Sequence, residues 1–196
     1  MKYIMTLIGA LLLVPVALSS ELLGETVPYK GHVLDGPGMV YVMTPAAEKE
    51  ILERVKEIYA SLEAQIRGYE ENAVETDGEA AGENRNEKYC TPNWVDLFNK
   101  VCAKEQRTDE LCLDVDYWVM GQDVGDFSAD GFKVESVTGD NLDHATVWLN
   151  LHNFGEETPV RLELVKEHGQ WLIDNFINLK YGLDFRKIMN KYLEGE

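Results

Sequence analysis

The sequence predicts an α+β domain in which N-terminal helices pack on one face of an antiparallel sheet of about four strands. Three observations carry this. Apolar residues recur at helical spacing through the first half of the chain. From residue 132 the period switches to strict alternation. Turn residues then separate short β-like runs at even intervals.

The opening segment is read first, because it bears on compartment. Lys2 precedes an apolar run from Ile4 to Leu18 broken only by Thr6, Gly9 and Pro15, and Ala17 and Ser19 put small side chains at −3 and −1 of a cleavage site before Ser20. Residues 1–19 therefore read as a secretory signal peptide, and the protein as exported, periplasmic or secreted. The run is shorter than the roughly 20 residues that span a bilayer, so no stable membrane anchor is expected after cleavage. No Cys follows the run to carry a lipid.

Residues 20–43 hold Pro28, Gly31, Gly36, Pro37 and Gly38 and read as an irregular N-terminal arm or a short strand over Met39 to Met43. Thr44-Pro45 then starts a helix, a hydroxyl at the N-cap with proline at N1. Ile51, Val55, Ile58, Tyr59, Leu62, Ile66 and Tyr69 form its buried stripe, opposite Glu50, Glu53, Arg54, Glu57 and Glu63. Residues 70–88 are rich in Glu, Asn, Gly and Ala, and read as a mobile acidic loop. They lack the spaced oxygen ligands of a calcium loop.

Thr91-Pro92 repeats the helix start, with Trp94, Leu97, Phe98 and Val101 on one side of the helix. Asp114 to Asp126 reads as a short helix or turn. Strands follow: Phe132 to Thr138; Ala145 to Leu151 with alternating apolar positions; Val160 to Val165; and Gln170 to Phe176. In the last, Trp171 and Ile173 are expected on one face, Leu172 and Phe176 on the other. Thr138-Gly139-Asp140-Asn141, Asn153-Phe154-Gly155 and His168-Gly169 supply the turns. Leu183 to Leu193 closes the chain as an amphipathic helix. Residues 44–196 thus form one domain.

Charge narrows the partners. The chain carries 35 acidic against 18 basic residues, a formal net charge of −17. Such a field disfavours nucleic acid and anionic membrane surfaces, and leaves a small molecule or a protein as the partner. Three cysteines allow at most one internal bridge; Cys102 with Cys112 is the shortest closure, with Cys90 an alternative partner to either. Their spacing and the scattered histidines give no metal site, and no cofactor motif is present.

Asp116-Tyr117-Trp118, Gly121-Gln122-Asp123, Ala145-Thr146-Val147, Leu151-His152-Asn153, Val160-Arg161-Leu162, Leu164-Val165-Lys166-Glu167 and Trp171-Leu172-Ile173-Asp174-Asn175-Phe176 together resemble the nuclear transport factor 2-like superfamily. Within it, the chain looks most like the bacterial family catalogued as domain of unknown function 3828, over roughly residues 45–193. The resemblance implies a curved sheet wrapped round helices as a cone, with a pocket between sheet and first helices. Asp116, Trp118, Gln122 and Asp123 would sit at its rim or cover. It also implies pairing through the convex sheet face, with Trp148 a candidate contact.

The pocket candidates are therefore Asp116, Trp118, Gln122, Asp123, Arg161 and Asp174. Asp116 and Asp123 suit shared acid–base work or cation binding, but also caps and turns. His152 ends a strand with no nucleophile near it in sequence. One of Asp174 and Asn175 must point inward, and Arg161 on the neighbouring strand is the expected partner of Asp174. No catalytic residue is assigned. An exported non-catalytic binding or interaction module is the leading expectation. The alternatives are a hydrolase or isomerase using pocket carboxylates, and an immunity-like protein binding a basic partner.

Overall fold

The computed structural model describes residues 43–71, 84–139 and 142–195. The expected signal peptide and nearly all of the arm lie outside them, as do residues 72–83 of the expected acidic loop. The described part is α+β: four helices and a five-stranded antiparallel meander in the order β1-β2-β3-β4-β5. In chain order these are α1 (Pro45–Glu71), α2 (Arg85–Tyr89), α3 (Pro92–Thr108), β1 (Ser128–Thr138), β2 (His144–Asn153), β3 (Glu156–Glu167), β4 (Gln170–Asn178), β5 (Leu183–Asp184) and α4 (Phe185–Glu194).

Both proline-led helix starts form. Thr44 Oγ1 accepts the N–H of Ala47 and Thr91 Oγ1 that of Trp94, each at 3.2 Å. Two expectations change at helix ends. Within the stretch read as a loop, α1 continues to Glu71 and α2 begins at Arg85, capped by the Asn84 side chain on the Asn86 N–H. The closing helix begins at Phe185 because the Asp184 carboxylate caps it at Lys187 N–H. Leu183 and Asp184 instead pair with β4 as the fifth strand, against about four expected.

α1 crosses the inner face of the sheet. At one end Glu50 pairs with Lys166 of β3 (2.6 Å) and Arg54 Nε donates to the Trp171 carbonyl of β4. Thirteen residues later, about 20 Å along the helix, Glu63 accepts the N–H of Ala129 in β1 at 2.9 Å. Beneath it, Val147, Leu149, Val160, Leu162, Leu164 and Ile173 point inward and are buried against Ile51, Val55, Ile58 and Tyr59.

Two irregularities in β1 bend the sheet. Gly131 and Phe132 together oppose Leu149, and a second shift falls at Glu135. Gly131 takes φ +65°, which a side chain resists. The extra residues turn the strand so that Phe132 reaches Tyr59, with ring centroids 6.3 Å apart.

A third bulge corrects the reading of β4. Leu164 pairs with Ile173 but Leu162 pairs with Phe176, so one more residue stands on β4 than on β3. Ile173 and Phe176 therefore share the inner face, three positions apart, where alternation placed them on opposite faces. Asp174 and Asn175 take up the difference. The outer edge of β4 beside them is met by Cys90, which bridges to Ile173 in parallel, and by the Thr91 N–H on the Ile173 carbonyl.

Candidate functional site

A groove of about 880 Å³ lies among α2, α3 from Phe98 to Glu105, Gln65 of α1 and the segment that follows α3. Its shape begins with a chain reversal. α3 ends at Asp109, whose backbone takes the left-handed conformation (φ 60°), and the chain runs back along the helix. Glu105 Oε1 accepts the Cys112 N–H at 2.6 Å and so fastens the returning segment to α3. Leu111 and Leu113, flanking that contact, line the groove together with Phe98 and Val101.

The segment then closes a tight loop. Asp116 N–H donates to the Gly121 carbonyl (2.8 Å), Asp116 Oδ1 accepts the Trp118 N–H (2.8 Å), and Met120 sits at φ 56°. This loop drives Tyr117 and Trp118 inward. The Tyr117 ring meets Trp94, Phe98, Phe176 and Phe185 at centroid distances of 5.1, 5.8, 4.9 and 5.9 Å. Trp118 is 3% exposed, and its Nε1 donates to Asn86 Oδ1 at 2.9 Å. Arg85 lies 3.8 Å from Asp116 and 6.0 Å from the Trp118 ring centre. Burial pushes the Tyr117 and Tyr59 hydroxyls far above their ordinary range, so both stay protonated.

Three of the six sequence candidates, Asp116, Trp118 and Gln122, line this groove. Trp118 does so as part of the core rather than as a free stacking face. Asp116 is occupied as the anchor of a turn and by Arg85. Asp123 is exposed beyond the lining residues, where its carbonyl accepts the Asn153 side-chain N–H (2.9 Å) from the β2–β3 hairpin.

Arg161 and Asp174 lie elsewhere, and they do not pair. Arg161 stands on the outer sheet face opposite Trp148 and Ile177, 3.6 Å from Glu163. The β4 bulge turns Asp174 away from it. Asp174 is ion-paired with Arg186 of α4 at 2.6 Å and accepts the Thr91 hydroxyl at 2.6 Å. His152 faces Asp130 at 3.2 Å, and Trp148 Nε1 donates to Glu135 at 2.7 Å, both outside the groove lining.

All three cysteines are free thiols in this structure. Cys90 is buried between α2 and β4, remote from exchange. Cys112 is joined to α3 through its backbone N–H and Glu105 rather than through sulfur. Burial, with Glu105 adding to it, pushes the Cys112 thiol up to about 11 and raises that of Cys102. Among the described residues there is no cluster of His, Cys, Asp and Glu able to hold a metal ion, and no helix long and apolar enough to cross a membrane.

Sequence reasoning missed Arg85, Asn86, Glu105, Leu111 and Leu113 as groove residues. One signal for α2 was present: Asn84 with Glu87 three residues on is the spacing of a capping box. The others are brought together only by the reversal at Asp109.

No family model and no curated protein matches the sequence. Among solved structures the chain is similar to a phospholipid-binding protein of Ralstonia solanacearum, solved in complex with a phospholipid. The similarity is 12% identity at a TM-score of 0.36, covering 76% of this chain and 86% of that one. Nothing about this chain's own ligand follows from a likeness of that size.

Proposed function

We propose that this protein is an exported, non-catalytic binding module of the nuclear transport factor 2-like kind, and that its ligand is a small molecule held in the groove between α3 and the returning segment. The observation that carries the reading is the division of labour among the groove's polar groups. Asp116, Asn86 and one oxygen of Glu105 are held in fixed hydrogen bonds that shape the walls, while Phe98, Leu111 and Leu113 offer apolar surface to an occupant. A concave, largely preformed site is the usual form of a ligand pocket, and about 880 Å³ is of drug-sized capacity. Asp116, Asp123 and His152 do not converge on one space, so the acid–base alternative gains no support from their placement.

The test is native mass spectrometry of protein recovered from its own host, beside a variant whose groove is filled by Leu113→Trp. A defined extra mass on the wild-type chain that the filled variant lacks is the expected result. Turnover of any substrate that Asp123→Ala abolishes, with the fold intact, would overturn the reading.

A further inference from the structure

Resting on that reading of the groove, we infer that its ligand is a cationic amphiphile: an ammonium group joined to an aliphatic or aromatic body. The groove's lining combines charged, neutral polar and apolar groups. Arg85 answers Asp116, and Asn84, Asn86, Gln65 and Gln122 in the lining are neutral amides. Glu105 and Asp114, also in the lining, have no ion-pair partner among the described residues, and one Glu105 oxygen accepts the Cys112 N–H. Lys104, the neighbouring cation, is engaged with α4: its ammonium donates to the Tyr192 carbonyl and stands 4.4 Å from that ring's centre.

The same lining supplies apolar surface. Phe98 is half-buried and lines the groove, and Leu111 at its rim is 70% exposed. An ammonium beside either carboxylate is recognised by its charge, and Phe98 adds apolar surface for the body. A hydrocarbon body lying on Leu111 and Leu113 would remove from water a large apolar side chain that otherwise stands in it. An anionic head would meet the Glu105 and Asp114 carboxylates and a chain of net charge −17, and would be repelled.

The experiment uses the full chain and three probes with the same twelve-carbon tail: dodecyltrimethylammonium, dodecyl maltoside and dodecyl sulfate. Each is titrated below its micelle-forming concentration by calorimetry and by backbone NMR. The cationic probe should bind one saturable site with shifts at Phe98, Leu111 and Leu113, roughly tenfold or more tighter than the neutral probe. The pair Glu105→Gln with Asp114→Asn should bring the cation down to the neutral probe's affinity and leave that probe unchanged. The first of these substitutions keeps a side-chain oxygen to accept the Cys112 N–H, and unchanged neutral binding reports an intact groove. Glu157→Gln with Glu194→Gln removes the same charge elsewhere and should leave the preference standing. Equal affinities, tightest binding of dodecyl sulfate, or equal loss in the two charge-removed pairs would overturn the cation inference while the groove remains a binding site. Absence of groove shifts with every probe would sink both.

Discussion

Thr91 is buried, and its hydroxyl serves two elements at once: it accepts the Trp94 N–H as the N-cap of α3 and donates to Asp174 at the β4 bulge. Thr91→Val keeps the volume and the β-branched shape while deleting both bonds. Loss of the cap costs about 1 kcal/mol. Loss of a hydrogen bond to a charged acceptor costs about 1.5 kcal/mol, the low end of its range because the Asp174 side chain is 26% exposed and keeps Arg186. The sum is about 2.5 kcal/mol, which at a urea slope of about 2 kcal/mol per molar lowers the unfolding midpoint by about 1.2 M. Urea titration followed by tryptophan fluorescence measures it. Thr91→Ser, which keeps the hydroxyl, should lose only about 0.8 kcal/mol for its missing methyl. A valine variant no less stable than the serine variant would refute the double role of the hydroxyl. So would Thr91→Val and Asp174→Asn effects that add without coupling.

Gly131→Ala should destabilise by about 1–2 kcal/mol, because φ is +65° and a Cβ would meet Asn150 Nδ2 at 3.3 Å; thermal melting would show it. Trp118→Phe should cost about 2–4 kcal/mol, since it leaves Asn86 Oδ1 underbonded in the core and opens a void where the indole was, so groove-directed variants belong at Phe98 instead. Cys112 should react with iodoacetamide at pH 8 roughly tenfold more slowly than an unstructured cysteine, its small thiolate fraction only partly offset by greater nucleophilicity. Mass spectrometry of labelled peptides would read the rate. The same thiol makes stability pH-dependent. Its pKa is raised on folding, so the folded state holds the proton longer; stability is full below the unfolded thiol's pKa near 8.5 and falls as pH rises towards 11. Cys112→Ala should flatten that fall in urea titrations between pH 8.5 and 11.

What could be read in advance was local. Thr44-Pro45 and Thr91-Pro92 determine their helix starts through atoms three residues away, and the alternation of Ala145 to Leu151 is a property of one strand. The β4 bulge has no such local mark. Ile173 and Phe176 share a face because β3 and α3 both press on that strand, and the extra residue follows from tertiary fit. Arg161 looked the natural partner of Asp174 because it precedes β4 on the adjacent strand. Arg186 displaces it because the bulge and α4 converge on Asp174 from the other side. The groove was half-legible: Asp116, Trp118 and Gln122 fall in a short, unusual stretch. Its apolar wall depends on the turn at Asp109, whose left-handed backbone is chosen by an ordinary aspartate.

The treatment of the sheet's margins bears on how the protein behaves when crowded. An open meander leaves two strands with unpaired backbone amides, and a long flat margin of that sort invites strands from other molecules. Here one margin is broken by two bulges and a glycine kink, and one of its amides, that of Ala129, is already taken by Glu63. The other margin is shared between the two residues of β5 and the Cys90–Thr91 bridge. Neither presents a straight run of donors and acceptors to copy. The prediction for a concentrated solution is slow amyloid-type growth. A substitution that straightened β1, by removing the kink at Gly131, should raise the tendency to self-associate through added strands even where it left the monomer folded.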